Sequence, residues 1–303
     1  MQDLDKAYQN FFRRVKLGEE PGYPRFKGKN RFDSFGFKEN GNGFKIDGRR
    51  LRVTGIGRIP IRWHRPLEGE IKTLRIVRKA DKWYAVFTCE VQVKPLPITG
   101  REVGIDVGIH HLLATSDGEF VENPKWYRAS ERKLRVVQRQ VARRKKGGSN
   151  RRKSVLQLQR QHEHTANQRK DFLNKEVYKI IVAYDRIALE DLQIKNMARN
   201  KYLAKSILDA GWGYLRQHFT SKAEEAGRIV VFIDPAYTSK QCMRCGKIWE
   251  GLTLRDRVVS CDCGLEKMDR DYHSACKILR AGRVRWSITW PVEASVLQEA
   301  VGL

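Results

Sequence analysis

Four cysteines crowded between residues 242 and 263 constrain this chain more than any other feature. Cys242 and Cys245 form a CMRC pair, and Cys261 and Cys263 a CDC pair, with about one hairpin's length between them. Two sulfur pairs on neighbouring turns close a tetrahedral thiolate site for zinc. Gly246 and Gly264, each directly after a cysteine, suit the tight turns such knuckles need. The CxC spacing is less common than CxxC, and a redox pair is the competing reading. Four sulfurs leave no open coordination position, so the expected zinc is structural and any chemistry must come from other residues. Cys89 and Cys276 stand apart in apolar surroundings and read as core fillers.

The 303 residues carry 60 Lys+Arg against 35 Asp+Glu, a formal charge of +25. Their length suits about two domains, and 41% hydrophobic residues can build real cores. Such a charge excess in a folded chain predicts a polyanionic partner, because Lys and Arg placed on phosphates release condensed counterions. A membrane is not expected. No run approaches the ~18 apolar residues of a membrane span, and no basic helix shows a bulky apolar face. The N-terminal MQDLDKAYQNFFRRVKLGEE lacks the apolar core of a secretory signal. A cytoplasmic or nucleoid setting follows.

The opening DLDKAYQNFFRRVK has helical spacing at Leu4, Ala7, Tyr8, Phe11 and Phe12. From Ser34 to Val93 alternating patterns predict antiparallel strands in a small barrel or curved sheet. KPLPITG, residues 94–100, is the best linker candidate. REVGIDVGIHHLLATSDGEFV predicts two strands joined near Ser116-Asp117-Gly118, and residues 126–182 predict long helices broken at Lys146–Asn150. DRIALEDL reads as a strand, KSILDAGWGYLRQHFTSKAEEAGR as one helix ending at Gly227, and RIVVFID as another strand. DYHSACKILRAG is a helix, and the tail WSITWPVEASVLQEAVGL carries no functional signal. Alternation of strands and helices makes the second half an α/β domain with some parallel pairing.

The helical pair is strongly basic: Arg128, Arg132, Lys133, Arg135, Arg139, Arg143, Arg144, Lys145, Lys146, Arg151, Arg152 and Lys153, with Glu131 the one acid among them. A solvated helix face usually mixes signs, so this stretch reads as a nucleic-acid contact. Trp63, Trp83, Tyr84 and Trp126 suit base stacking, although strand and core packing explains them more simply. His162 and His164 carry no assigned role.

Carboxylates are the candidates for catalysis. Asp106 sits in the apolar run VGIDVGIHHLL, where an acid is costly without a partner. Glu190 and Asp191 close IALEDL, and Asp269 and Asp271 open the last helix. Each has a plain alternative: a turn former beside Gly108, a surface acid, a helix cap. Three acids from two strands and a helix could instead converge on two divalent cations, a site that cleaves phosphodiesters. Hard Mg²⁺ prefers such oxygens.

GIDVGIHHLLATSDG, the basic helices leading into HEHTANQRKDF, IALEDL, YTSKQCMRCG and CDCGLEKMDRDYHSA together make the chain resemble the TnpB (OrfB) proteins of insertion sequences, from about Leu4 through Leu279. The resemblance implies a transposon-encoded RNA-guided DNA endonuclease of mixed α/β and β architecture. An oligonucleotide-binding-like wedge domain with an N-terminal helix would span residues 1–97. An RNase H-like (RuvC) core would span 98–235, with basic bridge helices over about 126–182. A zinc ribbon would occupy 236–266, and the last RuvC helix and tail 267–303. Asp106, Glu190 and Asp271 would be the catalytic acids holding two Mg²⁺ ions, with Asp191 a neighbour and Asp269 a cap or spectator. Arg132 to Lys153 would grip a guide RNA and DNA. Relative to the family the chain is expected to be N-terminally short, and His273 stands where Asn usually follows the last acid, close enough to disturb the metals' surroundings. The alternative reading is therefore a truncated, non-cleaving nucleic-acid-binding remnant or repressor. A strand-transfer transposase is weaker, since His110-His111 is followed by Leu112 with no nucleophilic Tyr.

Overall fold

The computed structural model describes residues 2–28, 31–234, 240–253 and 256–289. The boundary expected at 235/236 and the tail beyond 289 lie outside the described residues. The chain divides into two compact units, Met1–Gln92 and Val93–Leu303.

In the first unit, α1 (Gln2–Lys16) carries Asp3 and Asp5 in its first turn and Arg13, Arg14 and Lys16 in its last, the charge order that complements a helix dipole. Six strands follow: β1 (Ser34–Phe37), β2 (Phe44–Asp47), β3 (Arg50–Val53), β4 (Gly57–Pro60), β5 (Glu70–Lys79) and β6 (Lys82–Glu90). They form two three-stranded antiparallel sheets, β1-β5-β6 and β2-β3-β4, around Phe44, Leu51, Val53, Leu74 and Ile76. No ladder among the described residues closes them into the expected barrel, because the four-residue strands β2, β3 and β4 pair only among themselves.

The division at Gln92/Val93 precedes the expected boundary at residue 97, for a physical reason. Pro95 to Gly100 is not a free linker but is pinned to the second unit. Leu96 donates its N–H to the Ala226 carbonyl (3.0 Å), Arg228 donates to the Pro97 carbonyl (2.8 Å), and Thr99 and Gly100 donate to Asp185.

The second unit is built on β7 (Glu102–Val107), β8 (His111–Thr115), β9 (Phe120–Glu122), β10 (Arg186–Glu190) and β11 (Ile229–Ile233). Their order is β11-β10-β7-β8-β9, with β7, β8 and β9 antiparallel and β10 and β11 parallel to β7. Two strands were expected from 101–121, but the chain folds a third, because Gly108 permits a tight first turn. A Cβ at Gly108 would lie 2.7 Å from the His111 carbonyl oxygen.

The helices are α2 (Trp126–Arg143), α3 (Ser149–Ala183), α4 (Ile194–Met197), α5 (Ala204–Ala210), α6 (Trp212–Ala226) and α7 (Arg270–Thr289); β12 (Val258–Cys261) and β13 (Leu265–Asp269) form the cysteine hairpin. The single helix expected over 205–228 breaks at Gly211, whose φ of +72° ends α5 in a left-handed cap.

Strand alternation sorts the sheet's two faces. Val103, Ile105, Ile187, Leu189, Val230 and Phe232 pack with α3 and α6 residues such as Leu173, Val177, Leu215 and Phe219. The opposite face meets α7, where Ala188 and Ile233 pack on Ile278 and Trp286. Asp106 shares the parity of Gly104, and Glu190 that of Ala188, so both acids belong to the α7 face.

Candidate active site and cysteine cluster

Parallel pairing of β7 and β10 runs Ala188↔Gly104 and Leu189↔Ile105, and one further step sets Glu190 beside Asp106. Neighbouring strands lie ~4.8 Å apart, so the two carboxyls share one patch of the α7 face. The third acid comes from α7, which the sheet receives unusually closely at Gly104. A Cβ there would lie 2.2 Å from the Ala275 carbonyl oxygen and 2.4 Å from the Leu279 nitrogen. Asp271 is one helical turn before Ala275, and Asp106 two residues beyond Gly104; each step covers ~6 Å, which carries Asp271 over Asp106.

The electrostatics agree with this convergence. Burial, then the charges of Glu190 and Asp271, pushes the Asp106 carboxyl well above the usual carboxylate range; Arg270 opposes the shift and Asp269 adds to it. Excess negative charge of this kind is what a bound divalent cation relieves, and the donor set is all hard oxygen. Asp271 is buried, at 6% exposure, and lies 3.1 Å from His111 Nδ1 and 3.8 Å from Arg257.

Asp269 accepts the N–H groups of Asp271 (2.8 Å) and Tyr272 (3.1 Å), so Asp269 caps α7 and frees the Asp271 carboxylate. Asp191 is instead held by Arg216. His273 departs from expectation. It lies about 200° round the helix from Asp271, fully buried, where Nε2 accepts the Met243 N–H (3.0 Å) and the ring packs on Trp249 (5.1 Å). Burial, helped by Lys277, pulls its pKa down to about 4. His273 thus docks the CMRC knuckle on α7 and does not face the acids.

The four cysteine sulfurs lie within 4.8 Å of one another, with Cys242–Cys263 and Cys245–Cys261 both at 3.6 Å. Tetrahedral zinc with ~2.3 Å bonds needs sulfur separations of ~3.8 Å, so the set fits. Gly246 and Gly264 take φ of +77° and +87° in the knuckle turns, as their positions require. Burial raises the Cys242 thiol, but the N–H groups of Cys245 and Arg244 outweigh it and bring the pKa to about 7. Cys89 and Cys276 are half-buried and take no part.

The basic helices form a hairpin. Leu134 and Val137 of α2 are buried, while Arg132, Lys133, Arg135, Arg139, Arg143, Arg144, Lys145, Lys146, Arg152 and Lys153 are exposed and Arg151 is half-buried. Among the described residues Arg132, Lys133, Arg139 and Arg143 have no carboxylate partner, whereas Arg135 pairs with Glu131 (3.3 Å) and Arg144 bonds within the turn to Asn150 (2.6 Å) and to Ser154. Of the aromatics, Trp126 is core, Trp63 stacks on Phe87 at 5.7 Å, and Trp83 is exposed beside Arg78. His162 and His164 lie on α3, both exposed and about 200° apart round the helix. Sequence reasoning weighs His110 and His111 only as a histidine pair without its Tyr, and passes over Glu122, which is 3.5 Å from His111 Nε2. No local signal marks them, since Asp271 is 160 positions away.

Comparison with known proteins follows this geometry. Residues 86–201 match the OrfB_IS605 family, described as "Probable transposase", and residues 212–278 match the Cas12f1-like TNB domain. A protein of Streptomyces pristinaespiralis, provisionally named an RNA-guided DNA endonuclease, is 34% identical over 93% of this chain and 70% of its own length. The similarly named InsQ of Escherichia coli (strain K12) is 30% identical over 93% of this chain and 73% of its own. The cryo-EM structure of a CRISPR-Cas12f ternary complex aligns over 89% of this chain and 68% of its own, at 15% identity and a TM-score of 0.46. No described helix is long and apolar enough to cross a membrane. With identity at this level over most of its length, the chain belongs to the TnpB (OrfB) family.

Proposed function

We propose that the chain is a transposon-encoded, RNA-guided DNA endonuclease whose acids are Asp106, Glu190 and Asp271. The observation that carries this reading is the raised Asp106 carboxyl, pushed up first by burial and then by the charges of Glu190 on β10 and Asp271 on α7. The strand order supports an RNase H-like, RuvC-type core, and the first unit is read as a wedge-like, oligonucleotide-binding domain. A cytoplasmic, nucleoid-associated setting suits the charge of +25.

The three acids would hold two Mg²⁺ ions, which when bound activate water and neutralise the leaving oxygen of a phosphodiester. Asp106 and Glu190 would set the spacing, because the strand register fixes them to one side of the sheet. Asp271 would complete the site from α7, where Asp269 does the capping and the Asp271 carboxylate, with Oδ2 3.1 Å from His111 Nδ1, is not needed as a cap. Arg257 and Arg270, 3.8 and 4.0 Å from Asp271, keep the site from being uniformly negative to an arriving phosphate. Zinc on the four cysteines would brace α7 through the Met243–His273 bond. The basic hairpin would hold the backbone of a guide RNA–DNA duplex, leaving sequence to base pairing.

Asp106→Ala, Glu190→Ala and Asp271→Ala are each expected to lower Mg²⁺-dependent cleavage at least ~10²-fold, since losing several kcal/mol of charge stabilisation costs tenfold per 1.36 kcal/mol. RNA binding should persist in all three. Loss of RNA binding alongside cleavage would make these acids folding residues and overturn their assignment.

A further inference from the structure

We propose that His110, His111 and Asp271 form a third metal site, selective for borderline divalent ions such as Zn²⁺, sharing Asp271 with the acidic centre. One ligand atom from each lies within 4.8 Å of the others. The two Nδ1 atoms are 3.4 Å apart, and His111 Nδ1 is 3.1 Å from Asp271 Oδ2. Ligands bonded at ~2.1 Å to one ion stand ~3.0 Å apart at right angles and ~3.4 Å apart at tetrahedral angles. Two of the three ligand pairs are therefore already at coordination spacing, and the third lies within 4.8 Å.

A second observation points the same way. Imidazoles that bind metals through one nitrogen commonly give the other to a carboxylate, which fixes the ring and raises its basicity. His111 is placed for this: Nδ1 lies 3.1 Å from Asp271 and 3.4 Å from His110 Nδ1, and the exposed Glu122 is 3.5 Å from Nε2, within reach of the other nitrogen. The ring is further held against Phe120 at 4.7 Å, and His110 stands edge-on at 4.3 Å. Asn123 ties the turn carrying both histidines by donating to the Ile109 carbonyl (2.9 Å), so the ligands are held in place before any ion arrives. Two imidazoles and one carboxylate favour borderline metals over Mg²⁺, which prefers oxygen. Three protein ligands would leave room for solvent or a phosphate oxygen.

Asp271 is the shared element. An ion held by the histidines would draw Oδ2 of Asp271 to itself, so Zn²⁺ should oppose Mg²⁺-dependent cleavage; this consequence alone rests on the nuclease reading, and the binding site does not.

The test is calorimetric titration of Zn²⁺ into the full chain with its cysteine cluster already loaded, for the parent, His110→Ala, Glu122→Gln and Asp106→Asn. His110 is on the surface turn between β7 and β8, so its loss should leave the fold intact, as circular dichroism would check. The parent should take up one further equivalent. His110→Ala should weaken it at least tenfold, Glu122→Gln should weaken it less, and Asp106→Asn should retain it. Absence of the extra equivalent in the parent would overturn the site. So would its loss in Asp106→Asn with retention in His110→Ala, which would assign the ion to the acidic centre. Zn²⁺ that binds as expected without inhibiting cleavage by the parent would overturn the shared use of Asp271. Absence of Mg²⁺-dependent cleavage with zinc binding intact would instead count against the nuclease reading.

Discussion

Asp185 shows how one side chain can secure the start of a domain. It accepts from the N–H groups of Thr99 (2.9 Å) and Gly100 (2.6 Å) and pairs with Arg228 (2.6 Å), whose side chain is 2% exposed. Burial raises its pKa, but those N–H groups, the Thr99 hydroxyl and Arg228 outweigh burial and lower it overall. A carboxylate with a lowered folded pKa stabilises above its unfolded value, ~3.9, and loses that contribution as pH falls through the folded value. Asp185→Asn should cost ~3 kcal/mol at neutral pH by stranding the buried Arg228. Denaturant melts should show the gap between parent and variant closing below about pH 4. The acids show what sequence can carry at this scale. Asp106 stands out because an apolar strand does not house a carboxylate without a partner. His111 does not, because its meaning depends on a residue brought near only by the fold. His273 looks like a neighbour of the acids in sequence, yet helical phase, not sequence distance, decides what it faces.

At the scale of elements, α7 ties the sheet, the acids and the cysteine hairpin together. Its approach depends on Gly104, where a side chain would collide with the α7 backbone. Gly104→Val should therefore push α7 outward and lower cleavage at least tenfold, while the basic hairpin still binds RNA. Filter binding beside a cleavage assay would separate the two effects. If the cluster holds zinc as proposed, Cys245→Ser should abolish its zinc uptake and loosen the Met243–His273 contact, which metal analysis and limited proteolysis around 242–269 would register together. Periodic elements are legible from residues alone: α1, the α2–α3 hairpin and the strand pairs each have a repeating apolar side. What periodicity misses are the interruptions, the tight turn at Gly108 and the helix break at Gly211. At Gly108 the lack of a side chain, and at Gly211 a left-handed backbone, override a pattern that otherwise continues.

For the whole molecule, charge is the dominant quantity. Formal charge of +25 implies binding that weakens steeply with salt. Replacing Arg132, Arg139 and Arg143 by Ala should lower the slope of log affinity against log salt by ~2–3, at ~0.7–0.9 for each phosphate no longer neutralised. An unchanged slope would place the nucleic acid on another surface. The sheet order, the acids and the cysteine cluster all belong to one unit, Val93–Leu303, and that unit carries the central claim. The measurement that tests it most directly is Mg²⁺-dependent DNA cleavage by the protein purified with RNA from its own locus, beside Asp106→Asn. The parent should cut DNA at a site complementary to the bound RNA, and Asp106→Asn should bind the same RNA and DNA without cutting. RNA bound by both with DNA cut by neither, or cut equally by both, would contradict the account.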